Sequence, residues 1–181
     1  MDRISISIKM KQPTPTQKGL ITGALMIIAS LFSSDILKNP IESNFQLVIY
    51  LLFTLGIVWT LVTHSKTSNH KDSFKDFFSV GFKTFIVVTL LMAGFAYIYF
   101  SFHTGFRDNK IAENSHLLSL QGDHLPKEIE ENAKQLKKMF MPLMISSAVF
   151  RYLIIGALIT AIAGGYLSSN NNNKAFKTKE A

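Results

Sequence analysis

The sequence predicts an all-α, polytopic integral membrane protein with four transmembrane helices, and three observations support this. Four apolar stretches run over residues 19–37, 45–62, 84–102 and 142–167. Residues 43–65 and 84–106 contain no Asp, Glu, Lys or Arg. Charged residues make up 17% of the chain, whereas soluble domains carry about 25%. Because a bilayer core about 30 Å thick is crossed by about 20 apolar helical residues, each stretch is long enough to span it.

The distribution of basic residues predicts that both termini lie in the cytoplasm. Eleven of the 19 Lys and Arg residues fall in or beside the N-terminal arm (residues 1–17), the loop after the second span and the polar tail (residues 168–181). The positive-inside rule places these segments on the cytoplasmic side. Within the membrane domain (residues 18–167), the loop 103–141 then lies on the outer side of the membrane. The net charge of +7 therefore reflects the basic residues that fix the orientation in the membrane. We expect the lipid bilayer rather than nucleic acid as the partner.

The second half of the outer loop is expected to form an amphipathic helix before the fourth span. Pro126 suits a first helical turn, acidic residues follow it and lysines come later, an order that complements the helix dipole. The apolar positions on one side of this helix are Ile129, Ala133, Leu136 and Phe140. This apolar side needs a surface, which is either the membrane or the first half of the same loop.

Two segments beside the spans have periodic patterns. Residues 3–11 alternate between apolar and polar side chains, which is typical either of a half-buried strand or of a disordered basic arm. Phe74, Phe78 and Phe82, with Phe77, predict a short helical segment in the inner interface that anchors the third span. A partner-binding role for these aromatic residues is the alternative.

Small residues recur at four-residue steps in the first and fourth spans. Gly19 and Gly23 open the first span, and Gly156, Thr160 and Gly164 follow one another in the fourth. Such spacing lets helices approach closely in lipid. We expect spans one and four to pack on each other, with a homodimer or another membrane protein as the alternative, and spans two and three to be plain lipid-facing anchors.

Arg151 is the one charged residue well inside a predicted span. Placing it at the outer boundary, with residues 139–151 as a helical extension towards the outer helix, avoids the cost of a mid-membrane charge. The hypothesis is that Arg151 pairs with Asp35 or Glu42 and so fixes span four against span one. An unpaired arginine that reaches the interface is the alternative.

No group of residues predicts catalysis, a cofactor or a metal ion. The chain has no cysteine, no Gly-rich phosphate loop and no mid-membrane carboxylate of the kind that proton-coupled carriers use. His103, His116 and His124 share the outer loop, but their spacing matches no compact ligand motif. We therefore expect a protein that is not an enzyme.

Three sequence segments give the chain a family resemblance. They are residues 18–20 (KGL) at the start of span one, residues 79–84 (SVGFKT) at the start of span three, and residues 126–142 before span four. In their order and spacing the chain resembles the bacterial inner-membrane family known as domain of unknown function 4199, over residues 17–169. The resemblance implies a location in the bacterial inner membrane and carries no established activity, so it assigns no functional residue.

The resulting expectation is a non-enzymatic accessory or assembly subunit of a membrane complex. Two alternatives remain from other classes: a small transporter or channel formed by oligomerisation, and an accessory to lipid-linked envelope metabolism.

Overall fold

The computed structural model describes residues 12–33, 45–67 and 72–177, all of whose regular elements are α-helices. The all-α prediction is therefore confirmed. The five helices are α1 Pro15–Leu31, α2 Phe45–Thr67, α3 Phe74–Phe102, α4 Thr104–Gln121 and α5 Pro126–Lys177. The alternating segment 3–11 lies outside the described residues, as do Asp35 and Glu42.

The helix α1 begins earlier than the apolar stretch that predicted it. The Thr14 hydroxyl accepts the Gln17 backbone N–H at 3.3 Å, and the Gln17 side chain accepts the Thr14 N–H at 2.9 Å. This reciprocal cap, with Pro15 in the first turn, satisfies backbone donors that would otherwise be free. The helix thus begins at Pro15 rather than at the predicted residue 19, whereas the predicted end at residue 37 lies outside the described residues.

The phenylalanine-rich segment before the third span is part of α3 and not a separate interfacial helix. At the start of α3, the Asp76 carboxylate accepts from both the backbone and the hydroxyl of Ser73. Phe77 is fully buried, whereas Phe74 and Phe82 are exposed. The buried side of this segment continues into the buried side of the predicted third span, so both belong to one uninterrupted helix, α3, that ends at Phe102.

The predicted outer helix and fourth span form one helix, α5, of 52 residues and roughly 78 Å at 1.5 Å per residue. Pro142 lies inside α5, although proline removes one backbone hydrogen bond. The helix also continues past the predicted start of the polar tail at residue 168, as far as Lys177. That boundary was placed by side-chain polarity alone, and polar residues can continue a helix that is already formed.

The first half of the outer loop forms a helix, α4, that was not predicted. It ends at Gly122, whose φ of 74° is the left-handed conformation that terminates many helices. Its polar composition and lack of buried residues left no strong periodic signal. Together α4 and residues 126–140 of α5 form an antiparallel pair, here named the hairpin, in which the Asn114 side chain donates to that of Asn132 at 3.2 Å.

The four helices α1, α2, α3 and the second half of α5 form the bundle, and α3 is its central helix. It packs against α1, α2 and α5, whereas α1 and α5 make no extensive contact with each other in the described ranges. Fully buried side chains come mainly from α2 and α3, namely Phe53, Ile57, Leu61, Phe77 and Val88. The expectation that spans two and three are plain lipid-facing anchors is therefore wrong.

Three described helices, α2, α3 and α5, are long and apolar enough to cross a membrane. The helix α1, with 17 residues, falls just short in length and lies along α3 in the bundle. The end of the bundle where α1 begins and α2 ends is named the Lys18 end. The opposite end, where α3 meets α4, is named the hairpin end.

Candidate functional sites

The small residues of α1 face α3. A Cβ atom added at Gly19 would lie 2.8 Å from the backbone oxygen of Thr84. At Gly23 it would lie 2.6 Å from the Leu91 side chain. These two glycines therefore let α1 approach α3, where the sequence had predicted α5 as the neighbour.

The small residues of α5 face α3 from another side. Each of the three predicted positions is buried and meets one residue of α3. The pairs are Gly156 with Phe85, Thr160 with Gly81, and Gly164 with Phe77. The sequence identified the close-packing face of α5 correctly, but its packing partner is α3 rather than α1. Within one chain, α3 therefore already covers this face of α5.

Two glycines outside the four-residue series of α1 and α5 make equally close contacts. Gly56 of α2 packs directly against the side chain of Thr22 of α1, and Gly81 of α3 packs directly against that of Thr160 of α5. In each case a threonine side chain fills the space that a glycine leaves. A single small residue facing a threonine on another helix has no periodic signature, so only the structure pairs them.

Arg151 lies beside a crevice at the hairpin end. Its Nη1 donates to the Tyr50 hydroxyl at 3.4 Å, a long and therefore weak hydrogen bond. Its predicted partners Asp35 and Glu42 are outside the described residues, so the proposed ion pair stays a prediction. Tyr152, next in sequence, is buried against Phe53 with its ring edge-on at 5.4 Å.

The crevice beside Arg151 has a volume of about 140 Å³ and both polar and apolar walls. Its polar walls come from α1, α2 and α5, and its apolar walls mainly from α3. The polar side chains include Ser30, Ser33, Gln46, Tyr50, Ser147 and Arg151, and the apolar ones include Met92, Phe95 and Phe100. This arrangement suits an amphipathic ligand.

The joint between bundle and hairpin is a cluster of three aromatic rings. Phe100 of α3 lies 5.3 Å from Phe106 of α4 and 6.3 Å from Phe140 of α5, between ring centroids. Phe106 and Phe140 are 6.4 Å apart. Aromatic pairs at such distances attract each other beyond simple burial, so the cluster fixes the direction in which the hairpin leaves the bundle.

The Lys18 end contains a buried cation and an imidazole–carboxylate pair. Lys18 is 4% exposed, and its Nζ lies 5.3 Å from the centre of the Trp59 ring. Nearby, His64 Nε2 lies 2.8 Å from Asp72 Oδ2, and the His64 ring meets Phe77 edge-on. In the sequence, Lys18 counts as one of the basic residues that indicate topology and as part of the KGL segment, because nothing there distinguishes a buried lysine from an interfacial one.

The outer-loop histidines do not converge. His103 stacks on Tyr99 with ring centroids 4.2 Å apart, and His124 lies near Asp123 and Glu128 at the turn of the hairpin. His116 is exposed on α4. Within the described ranges, no three His, Asp or Glu side chains are placed to hold a metal ion together.

A family model for proteins of unknown function, DUF4199, matches residues 17–168 of this chain. The chain belongs to the DUF4199 family. The matched region begins in the first turn of α1 and ends inside α5, so it contains the whole hairpin and nearly all of the bundle. No curated protein and no solved structure matches this DUF4199 chain.

Proposed function

We propose that this DUF4199 protein is a non-enzymatic accessory or assembly subunit of a membrane complex, located in a bacterial inner membrane. The observation that carries the proposal is the hairpin. Its helix α4, with 18 residues, is roughly 27 Å long and packs on α5 and the end of α3. The hairpin thus extends beyond the membrane bundle and presents its surface to other molecules.

The apolar residues at the end of the hairpin support a protein partner. Leu117, Leu120 and Leu125 are 54%, 69% and 65% exposed. The surrounding charges are of both signs, and one ion pair, between Lys134 and Glu130, lies within the hairpin. A surface of mixed charge with exposed leucines is typical of protein–protein contacts rather than of an anionic membrane surface.

The proposed topology has four spans with both termini in the cytoplasm and the hairpin outside. The course of α1 parallel to α3 supports α1 as a membrane-crossing helix in addition to α2, α3 and α5. Gly19 and Gly23 of α1 contact turns of α3, which is itself long enough to cross the membrane. The exposed Lys75 and Lys83 at the Lys18 end support that end as cytoplasmic.

Single-cysteine labelling tests the topology directly, because the chain has no cysteine of its own. Ser119→Cys lies in the hairpin, and Ser79→Cys and Gln12→Cys lie at the Lys18 end. A membrane-impermeant maleimide added to spheroplasts is expected to label only Ser119→Cys. It should label the other two after lysis. Labelling of Gln12→Cys in intact spheroplasts would show that α1 does not span, and labelling of Ser79→Cys would reverse the topology.

Copurification tests the accessory role. The protein is extracted in mild detergent from its own membrane, and bound proteins are identified by mass spectrometry. We expect one stoichiometric partner that is retained by the control Gln121→Ser and lost by Leu117→Ser/Leu120→Ser. A lone monomer in several mild detergents would contradict the proposal. A partner that both variants retain would contradict the role of the leucines.

A transporter or channel formed by oligomerisation is the weaker alternative, because α3 covers the small-residue face of α5 within one chain. Solute or ion flux in proteoliposomes that contain only this protein would favour that alternative.

A second candidate, an accessory to lipid-linked envelope metabolism, is favoured by the crevice beside Arg151. A cation and several hydroxyl groups next to apolar walls match a lipid whose anionic group carries a long chain. Native mass spectrometry of the detergent-extracted protein is expected to show a bound lipid-linked molecule that Arg151→Gln loses and Lys138→Gln retains. Equal retention by both variants would remove this candidate.

A further inference from the structure

The Lys18 side chain is buried along most of its length, and its ammonium group, which lines a pocket, has no anionic partner among the residues that the structure describes. The side chain lies in the first turn of α1, is 4% exposed and sits over the Trp59 ring. No described carboxylate lies within ion-pair distance of it, and no described group accepts a hydrogen bond from it. An ammonium group has three N–H donors, and a charged group beside apolar walls favours a partner of opposite charge.

A pocket of about 130 Å³ lies beside this ammonium group. Its walls include Gln12, Pro15, Thr60, Thr63 and His64. The hydroxyl groups of Thr60 and Thr63 already donate to carbonyl oxygens of α2, at 2.9 and 2.7 Å. His64 faces Asp72. Lys18 is therefore the charged donor in this pocket that no described side chain neutralises.

The local backbone favours a negative charge at the same place. The helix α1 begins at this pocket, and its first turn contains no acidic residue. The N-terminus of a helix carries a partial positive charge and attracts anions, phosphate groups among them. The α1 N-terminus and the Lys18 side chain thus both favour an anion at this place.

We propose that the Lys18 pocket binds a phosphate group, carried either by a phospholipid headgroup or by a soluble phosphate. A phosphate presents several acceptor oxygens to the three donors of the ammonium group, and the partial positive charge at the N-terminus of α1 favours its negative charge. The pocket lies at the level where the uncharged stretch of α3 begins, after the exposed Lys83. This is the depth at which headgroups of the nearer leaflet lie.

The single tryptophan of the chain, Trp59, reports on the pocket because it contacts Lys18. Fluorescence is recorded on full-length protein in a non-ionic detergent during titration with inorganic phosphate and, separately, with short-chain phosphatidylglycerol. The variants are Lys18→Met and the control Lys83→Met, which removes an exposed charge at the same end of the bundle. Sodium chloride at equal ionic strength controls for screening.

We expect a saturable change in Trp59 fluorescence for the wild type and Lys83→Met, with binding at least tenfold weaker in Lys18→Met. Saturation with phosphate identifies a soluble ligand, and saturation with the lipid alone identifies a headgroup. Absence of saturation with both ligands, or equal binding by Lys18→Met, would overturn the proposal. If Lys18→Met does not fold, the wild-type protein alone tests the site. A change in Trp59 fluorescence that sodium chloride also produces rejects the site, and a change that only the phosphate ligand produces supports it.

Discussion

The bundle and the hairpin share α5, yet they are held together by different contacts. In the bundle, helix backbones approach closely because glycines of one helix lie directly against side-chain or backbone atoms of another. In the hairpin, α4 has no buried residue, and its contacts with α5 include a hydrogen bond between the Asn114 and Asn132 side chains and an aromatic contact at one end. A helix that is rigidly packed along one half and lightly packed along the other can present a surface without weakening the membrane domain.

The largest effect is expected where a glycine in the bundle is filled. In Gly156→Ala, the new Cβ would lie 2.7 Å from Cγ and 2.8 Å from Cβ of Phe85, and neither atom is the free end of a flexible chain. Overpacking of this kind costs about 1–3 kcal/mol. Unfolding in mixed micelles, followed by Trp59 fluorescence, measures the loss of stability.

Gly165→Ala is the matched control, because a Cβ at Gly165 on the same helix meets nothing within 4 Å. It is expected to be neutral or to stabilise α5 by up to about 1 kcal/mol, since alanine is the better helix former. Equal destabilisation by the two variants would mean that close packing on α3 does not distinguish the two positions.

A smaller and more local effect is expected at the joint between the two regions. Phe140 is half-buried and meets Phe100 and Phe106. Because a full Phe→Ala truncation in a core costs about 3–5 kcal/mol, Phe140→Ala at this half-buried position is expected to cost about 1–2 kcal/mol. Amide exchange in α4 should become about tenfold faster, while exchange in α2 stays unchanged.

Met139→Ala is the control for the joint, since Met139 is 54% exposed and should leave α4 unaffected. Faster exchange throughout α2 and α3 in Phe140→Ala would show that hairpin and bundle open as one unit, and the comparison between them would then fail.

The sequence predicted the apolar helices well and their neighbours poorly, for physical reasons. Length and the absence of charge define a span without reference to any partner, so α2, α3 and most of α5 could be recognised. The glycine spacing identified a close-packing face on α5, but helix–helix contacts in the bundle depend on three-dimensional order. Phe85 and Gly81 on α3 therefore could not be assigned to Gly156 and Thr160 in advance.

The candidate sites show the same limit. Arg151 was found because a charge inside an apolar stretch is unusual, whereas Lys18 sits at the edge of a stretch, where lysine is common. Its burial depends on Trp59, which is 41 positions away in the chain. The helix α4 was missed because it lacks the apolar periodicity that identifies a helix packed on a core.

The finest test within the bundle concerns Thr160, which fits against Gly81 and is fully buried. Its hydroxyl has no hydrogen-bond partner among the described residues, whereas the equally buried Thr60 donates to the Gly56 carbonyl oxygen at 2.9 Å. Valine has nearly the shape of threonine without the polar group. Because an unsatisfied buried hydroxyl costs about 1–3 kcal/mol, Thr160→Val is expected to raise the stability by about 1 kcal/mol.

Thr60→Val, in contrast, removes a satisfied hydrogen bond and should lower the stability by about 0.5–1.5 kcal/mol. The same micelle unfolding assay compares the two variants. Opposite signs would show that α5 is held to α3 by shape alone at this point. A loss of stability in both variants would mean that the Thr160 hydroxyl is bonded in the membrane, and the contrast between the two threonines would disappear.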